Sequence, residues 1–467
     1  MVGSFASGAL ASHGPGESFP AADWEVTVVD QTRVVGYDVS AATDPVTGET
    51  FVSYYEGING DLWLARSDPP TGTGNCGFQS SWECQVVDSA GVVGKYNSIA
   101  VGGNGPVASL VIGYHDSTAG SLKVFAATVD RATGALGGEV IVVEAGIPAS
   151  GVYFGRRTAA AVSSAGVPHI AYRFDWETTS DQLYVKHAER VSPGTGNCGE
   201  GTVESGWNCT YISYSSADLD FFDIDVNSGG TPFIAYRSTH PFSFQTYPVV
   251  AIPVGFGGSC TMSDLWDCTP VIFEDHHTGA YLSLGVDDDD TPHLAYRDGT
   301  TQSLVWARFV GFDGNCGPNQ PTWQCDRIEN TGSSALLSGI DMSFDPEGNP
   351  VIVYQDVDSP LVDLKIARPL EAISWAAAGN CGPLSPTFFQ TWLCEILDGG
   401  NISYAQAVGG LSIAASAGHG ATVAYRSLLD YSSGNPVGML KVAVEPVSIF
   451  RDGFESDDTT RWSTTTN

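Results

Sequence analysis

The chain has 467 residues with 42% hydrophobic content, enough for a large core. Its 53 acidic against 20 basic side chains give a formal charge of −33, a surface that repels nucleic acid and anionic membrane rather than binding them. With charged residues at only 16%, aromatics at 11% and no apolar run of transmembrane length, neither disorder nor a membrane-inserted helix is expected.

Residues 1–22, beginning MVGSFASGALASHG, have no basic leader and only a weak apolar stretch. They read as a flexible N-terminal segment rather than a signal peptide. Residues 24–30, WEVTVVD, are β-branched and alternate as a strand does.

From there one short apolar run recurs: FVSYYE, VIGYHD, HIAYRF, FIAYRS, HLAYRD, VIVYQD and TVAYRS. Its tyrosines are Tyr54, Tyr114, Tyr172, Tyr236, Tyr296, Tyr354 and Tyr425, spaced by 60, 58, 64, 60, 58 and 71 residues. A strand such as YNSIAV or YLSLGV precedes each run, most often across a Gly/Asp/Asn/Pro turn. A third strand follows (SLKVFA, DLKIARP), then a fourth such as WECQVVD or, without Trp, EVIVVEA. Four antiparallel strands in about 60 residues are one blade of a β-propeller. Six fourth strands lie inside the repeats and the last repeat has none, so residues 24–30 are expected to complete the seventh blade and close the ring. The expected organisation is a seven-bladed, all-β propeller over 23–447, followed by a polar tail over 448–467.

All ten cysteines occupy one repeat position and pair locally as Cys76 with Cys84, Cys198 with Cys209, Cys260 with Cys268, Cys316 with Cys325, and Cys381 with Cys394. Two sulfurs per loop with no consistent His are too few for zinc, so disulfides in an oxidising compartment are expected. Each closes roughly ten residues, worth about 2–3 kcal/mol by chain entropy.

The pattern resembles bacterial propeller repeats grouped with the BNR or sialidase-like families, with units reading GxPHIAYxD…LKYA…W…VD. The resemblance covers about 24–446 and implies the fold. The Asp-box S-x-D-x-G-x-T-W is absent, so sialidase activity does not follow. By the same resemblance, the cysteine turns lie on one face, and the residues after the repeated Tyr emerge on the other, near the central channel. The short FRDGFES…TTRWS tail looks like terminal segments of secreted bacterial proteins, which implies export.

The residue after the repeated Tyr is Tyr55, His115, Arg173, Arg237, Arg297, Gln355 or Arg426. Four Arg at one position far exceed the roughly 0.2 that chance would place there. Such a ring of donors suits carboxylates and sulfates; the structural alternative pairs each Arg with an acid of its own or the next blade, Asp116, Asp175, Asp298 and Asp356 lying one or two residues after this position. His240, His276 and His277 break the repeat in loops expected on the same face, and Lys95-Tyr96 and Arg156-Arg157 flank it. His169 and His293 share a repeat position and read as structural. The four-Asp run at 287–290 lacks EF-hand spacing and reads as a solvated turn, with calcium as the alternative; no other cofactor is expected.

These features lead to the expectation of a secreted or cell-surface propeller that binds a glycan or an extracellular protein without catalysis. The alternatives are a carbohydrate-active enzyme, either a polysaccharide lyase or a glycoside hydrolase, and a structural module of an extracellular assembly.

Overall fold

The computed structural model describes residues 19–20 and 24–445, apart from residues 33 and 71 and the segments 178–181, 199–205, 216–220, 240–244, 273–277, 318–321, 331–338, 357–361, 371–378, 385–389, 403–409, 417–419 and 430–436. Seven antiparallel sheets, one per repeat, form the ring of a propeller. Blade 1 is Tyr37–Thr43, Thr50–Glu56, Asp61–Arg66 and Glu83–Asp88 in spatial order, and blades 2 to 5 repeat that order. Blade 6 does so with Gly379–Leu384 added at its outer strand, where Phe19–Pro20 also pairs in parallel. Blade 7 takes its outer strand from the chain start: Glu25–Asp30 pairs antiparallel with Val437–Val444, Glu25 opposite Val444. The ring therefore closes as expected, and the pairing covers the edge of the last blade. No helix among the described residues is long and apolar enough to cross a membrane.

The repeated Tyr is buried in every blade, and its hydroxyl explains the acid that ends the fourth strand. Tyr54 donates to Asp30 at 3.0 Å, Tyr114 to Asp88 at 2.8 Å, Tyr172 to Glu144 at 2.6 Å and Tyr425 to Asp398 at 2.7 Å, while Tyr354 donates to Glu329. Each acceptor belongs to the preceding blade. A third-strand Lys joins four of these latches: Lys123 to Asp88, Lys186 to Glu144, Lys365 to Glu329 and Lys441 to Asp398. A hydrogen bond to a buried carboxylate is stronger than a neutral one, so the repeat encodes blade-to-blade adhesion.

A second circle of bonds joins the innermost strands around the channel. Ser40 Oγ accepts from the Ile99 N–H at 3.1 Å, Ser98 Oγ from Ala160 at 3.1 Å and Asp223 Oδ2 from Leu284 at 2.9 Å. Ser283 Oγ accepts from Met342 at 3.2 Å, Asp341 Oδ2 from Ile413 at 2.8 Å, and Ser412 Oγ from Ala41 at 3.0 Å, which returns the circle to blade 1. Ala159 holds the equivalent place in blade 3 and has no side-chain oxygen to offer.

All five expected cysteine pairs are disulfide-bonded, each in the turn from third to fourth strand. They belong to an oxidising environment. The run at 287–290 is a turn, with Asp287 accepting from Thr291, Asp289 and His293.

Candidate functional site at the channel mouth

The first strands enter the ring at the face opposite the disulfides, and there their register slips. The breaks fall between Tyr37 and Ser40, Lys95 and Ser98, Phe154 and Thr158, and Ala280 and Ser283. At each break one residue other than glycine has positive φ: Asp38 at 46°, Tyr96 at 55°, Arg157 at 153° and Tyr281 at 54°. A bulge re-aims side chains, and the left-handed conformation costs an L-residue about 1–2 kcal/mol, strain that concentrates at working sites. The four residues, with Phe221 and Gly339, border a channel cavity of about 200 Å³.

On blades 7, 1, 2 and 3 the rim is an arc of cations and aromatic rings. The Arg426 guanidinium lies 3.5 Å from the Tyr37 ring centre, Tyr37 meets Tyr55 edge-on at 6.2 Å, and Lys95 Nζ is 5.7 Å from the Tyr55 ring. Arg157 covers the Tyr96 ring at 4.4 Å, and His115 lies 6.2 Å from that ring. Asp38 accepts from the Tyr96 N–H at 3.0 Å; burial raises its pKa, opposed by that bond and by Arg157, Lys95 and Arg426. Thr158 Oγ1 ties down the bulge by donating to a backbone carbonyl, with Tyr96 O at 2.5 Å and Gly113 O at 2.9 Å within reach. Arg426, Lys95 and Arg157 put three of the chain's 20 basic side chains on this arc, a local concentration of cations in an acidic protein.

His115 is buried, with 3% of its surface exposed. Its Nδ1 sits 2.7 Å from the Phe154 carbonyl oxygen, so that nitrogen carries the proton and Nε2 presents its lone pair. Nε2 has no hydrogen-bond partner among the described residues. Burial lowers the pKa of His115, with Arg156 adding to the effect, so the ring is neutral at neutral pH.

The column after the repeated Tyr does not form one continuous ring. Tyr55, His115 and Arg426 reach the arc. Arg173 turns back on Asp175, at 2.5 and 2.9 Å, and Arg156 shares that carboxylate at 3.2 Å. Arg237 donates to Thr246 Oγ1 at 2.9 Å and lies 5.8 Å from the Phe221 ring. Arg297 is buried on blade 5, and Gln355 Oε1 accepts from Gly339 N at 3.4 Å. The pairing of Arg with a nearby Asp holds for Arg173. Asp116 and Asp356 instead bind Lys123 and Lys365, and Asp298 accepts from Thr300 and Thr301. His240, His276 and His277 lie outside the described residues.

Sequence reading passed over Asp38, Phe221 and Tyr281. The available signal was a large or charged residue two positions before the polar residue of the first strand, in YDVS, FFDI and AYLS. A bulge breaks the period-two pattern there, which hides which side chains face the channel.

No protein-family model matches the chain, and no curated protein matches it, so the resemblance to BNR and sialidase-like repeats gains no support. Among solved structures, an ulvan lyase described as a new polysaccharide lyase family is 11% identical, with 91% of this chain and 94% of that chain covered and a TM-score of 0.46. A second polysaccharide lyase is 12% identical over 93% of this chain and 94% of that one, with a TM-score of 0.35. A thermostable family-43 glycoside hydrolase is 13% identical over 66% of this chain and 95% of that one, with a TM-score of 0.30.

Proposed function

We propose that this propeller is an extracellular lyase that cleaves an acidic polysaccharide by β-elimination at the channel mouth. One observation carries the reading: a neutral histidine, His115, has one nitrogen anchored and the other unpartnered, beside the Arg157–Tyr96 pair. Elimination from a uronate needs three groups. A cation neutralises the carboxylate and so acidifies the adjacent C–H, a base takes that proton, and an acid protonates the departing glycosidic oxygen. Arg157, with Lys95 close by on the arc, supplies the first. His115 Nε2 takes the C5 proton; the electron pair forms the C4–C5 double bond as the C4–O bond breaks, and the Tyr96 hydroxyl gives its proton to the leaving oxygen. The arc also suits a second reading, non-catalytic binding of the same anionic glycan.

Purified protein incubated with polygalacturonate or alginate decides between them, read by the ultraviolet absorbance of the new double bond. Wild type is expected to form product and His115→Ala to lose on the order of 100-fold or more in rate. The acid limb of the rate profile should fall below the ordinary histidine value of 6.5, because burial lowers this pKa. Binding of these polymers with no unsaturated product refutes the lyase reading and leaves the binder.

A further inference from the structure

Blade 3 departs from the repeat outside the arc. In blades 1, 2, 5 and 6 the row after the repeated Tyr's successor pairs polar residues: Glu56 with Asp61, Asp116 with Ser121, Asp298 with Ser303, and Asp356 with Asp363. Glu56, Asp116 and Asp298 cap the turn that follows, accepting from Ile58 and Asn59, Thr118 and Ala119, and Thr300 and Thr301. Blade 3 gives up this cap. Its row reads Phe154, Phe174, Tyr184 and Tyr214 across all four strands, with ring centres 4.6, 5.2 and 5.8 Å apart in turn. Its second strand also runs past the position where those four blades turn, as far as Trp176.

The inner half of the ladder is packed. Phe174 is 6% exposed, and Lys186, bound to Glu144 at 2.7 Å, reaches over the Phe154, Phe174 and Tyr211 rings. The outer half is open: Tyr211, edge-on to Tyr184 at 5.7 Å, is 39% exposed and Tyr214 41%; Trp176, at the far end of the second strand, is 45% exposed. Core packing explains the inner rings and leaves three large aromatic faces in solvent, the pattern of an interaction site. Rings with an apolar face and a polar tip suit sugars, which offer C–H faces ringed by hydroxyls. The ladder begins at Phe154, whose carbonyl holds His115, and reaches outward by three strand spacings, about 14 Å.

We propose that Trp176, Tyr211 and Tyr214, backed by Tyr184, form a stacking subsite for the sugar rings of a polysaccharide that runs from the channel mouth outward over blade 3. The subsite extends the site proposed above and rests on that reading for its direction, whereas its test needs no catalysis. The full chain, its Tyr211→Ala/Tyr214→Ala double variant, a Tyr211→Phe/Tyr214→Phe variant and Trp176→Ala are run through native gels cast with polygalacturonate, alginate or a neutral galactan. Melting temperatures confirm that each is folded. Wild type and the Phe variant should be retarded by at least one polymer, and the Ala variants should bind it about tenfold more weakly. Equal retardation of wild type and the folded Ala variants overturns the subsite, as does a wild type that none of the polymers retards. Retardation lost in the Ala variants, in a protein that never forms unsaturated product, supports the subsite and sinks the lyase reading.

Discussion

Replacing Asp223 by Asn should make the propeller less sensitive to alkaline pH. Ser283 Oγ lies 3.0 Å from Asp223 Oδ2 and 2.9 Å from Asp341 Oδ1, yet a hydroxyl has one hydrogen to give. One contact is satisfied by the serine proton; the other requires a proton on a carboxyl. Burial, with the Asp341 charge beside it, pushes Asp223 up to about 7 from an ordinary 3.8. A folded-state value raised above the unfolded one contributes stability that is complete below pH 3.8 and is lost as pH climbs to about 7. About three units at roughly 1.4 kcal/mol each set a ceiling near 4 kcal/mol, which water in the channel reduces, because Asp223 is only half-buried. Asn keeps the acceptor for Leu284 N–H and does not ionise. Urea denaturation of wild type and Asp223→Asn at pH 5 and pH 8 reads the effect. The variant should match or trail wild type at pH 5 and exceed it at pH 8. Asp225, pushed up to about 6, and Glu49, to about 7, shift stability the same way, whereas His169 and His293, lowered to about 4, shift it oppositely. All four are common to both proteins and cancel in the difference. A stability difference that is the same at both pH values refutes the shared proton.

Ser412→Ala removes the bond that closes the channel circle from blade 7 to blade 1, together with the Ser412 Oγ donation to Asp341 at 2.9 Å, and should cost about 2 kcal/mol in chemical denaturation. Ala159→Gly, in the blade without such a bond, leaves the circle unchanged and serves as its comparison. Replacing Cys316 and Cys325 by Ser should cost about 2–3 kcal/mol and lower the melting temperature without abolishing folding, since blade 2 holds its outer strand, Leu136–Glu144, with no disulfide.

The number of blades, the strand order, the closure by residues 24–30 and all five disulfides were legible in the chain, because each follows from a local pattern repeated seven times or from cysteines at one repeated place. Apolar alternation and turn residues act within a few positions, and recurrence removes the ambiguity of any single copy. The meaning of the repeat was less accessible. The acid at the end of five fourth strands was visible, but its role as acceptor for the next blade's Tyr belongs to a contact between residues 24 to 28 positions apart. The site was the least legible part. The Arg column looked like a ring in sequence, yet Arg173 closes on Asp175 while Arg426 lies on Tyr37. Asp175, two residues after Arg173, marked the first fate locally, whereas Tyr37, which receives Arg426, lies at the other end of the chain. The bulges at Asp38, Tyr96, Arg157 and Tyr281 arise where seven inner strands converge on one axis. Only that convergence turns them toward a common cavity.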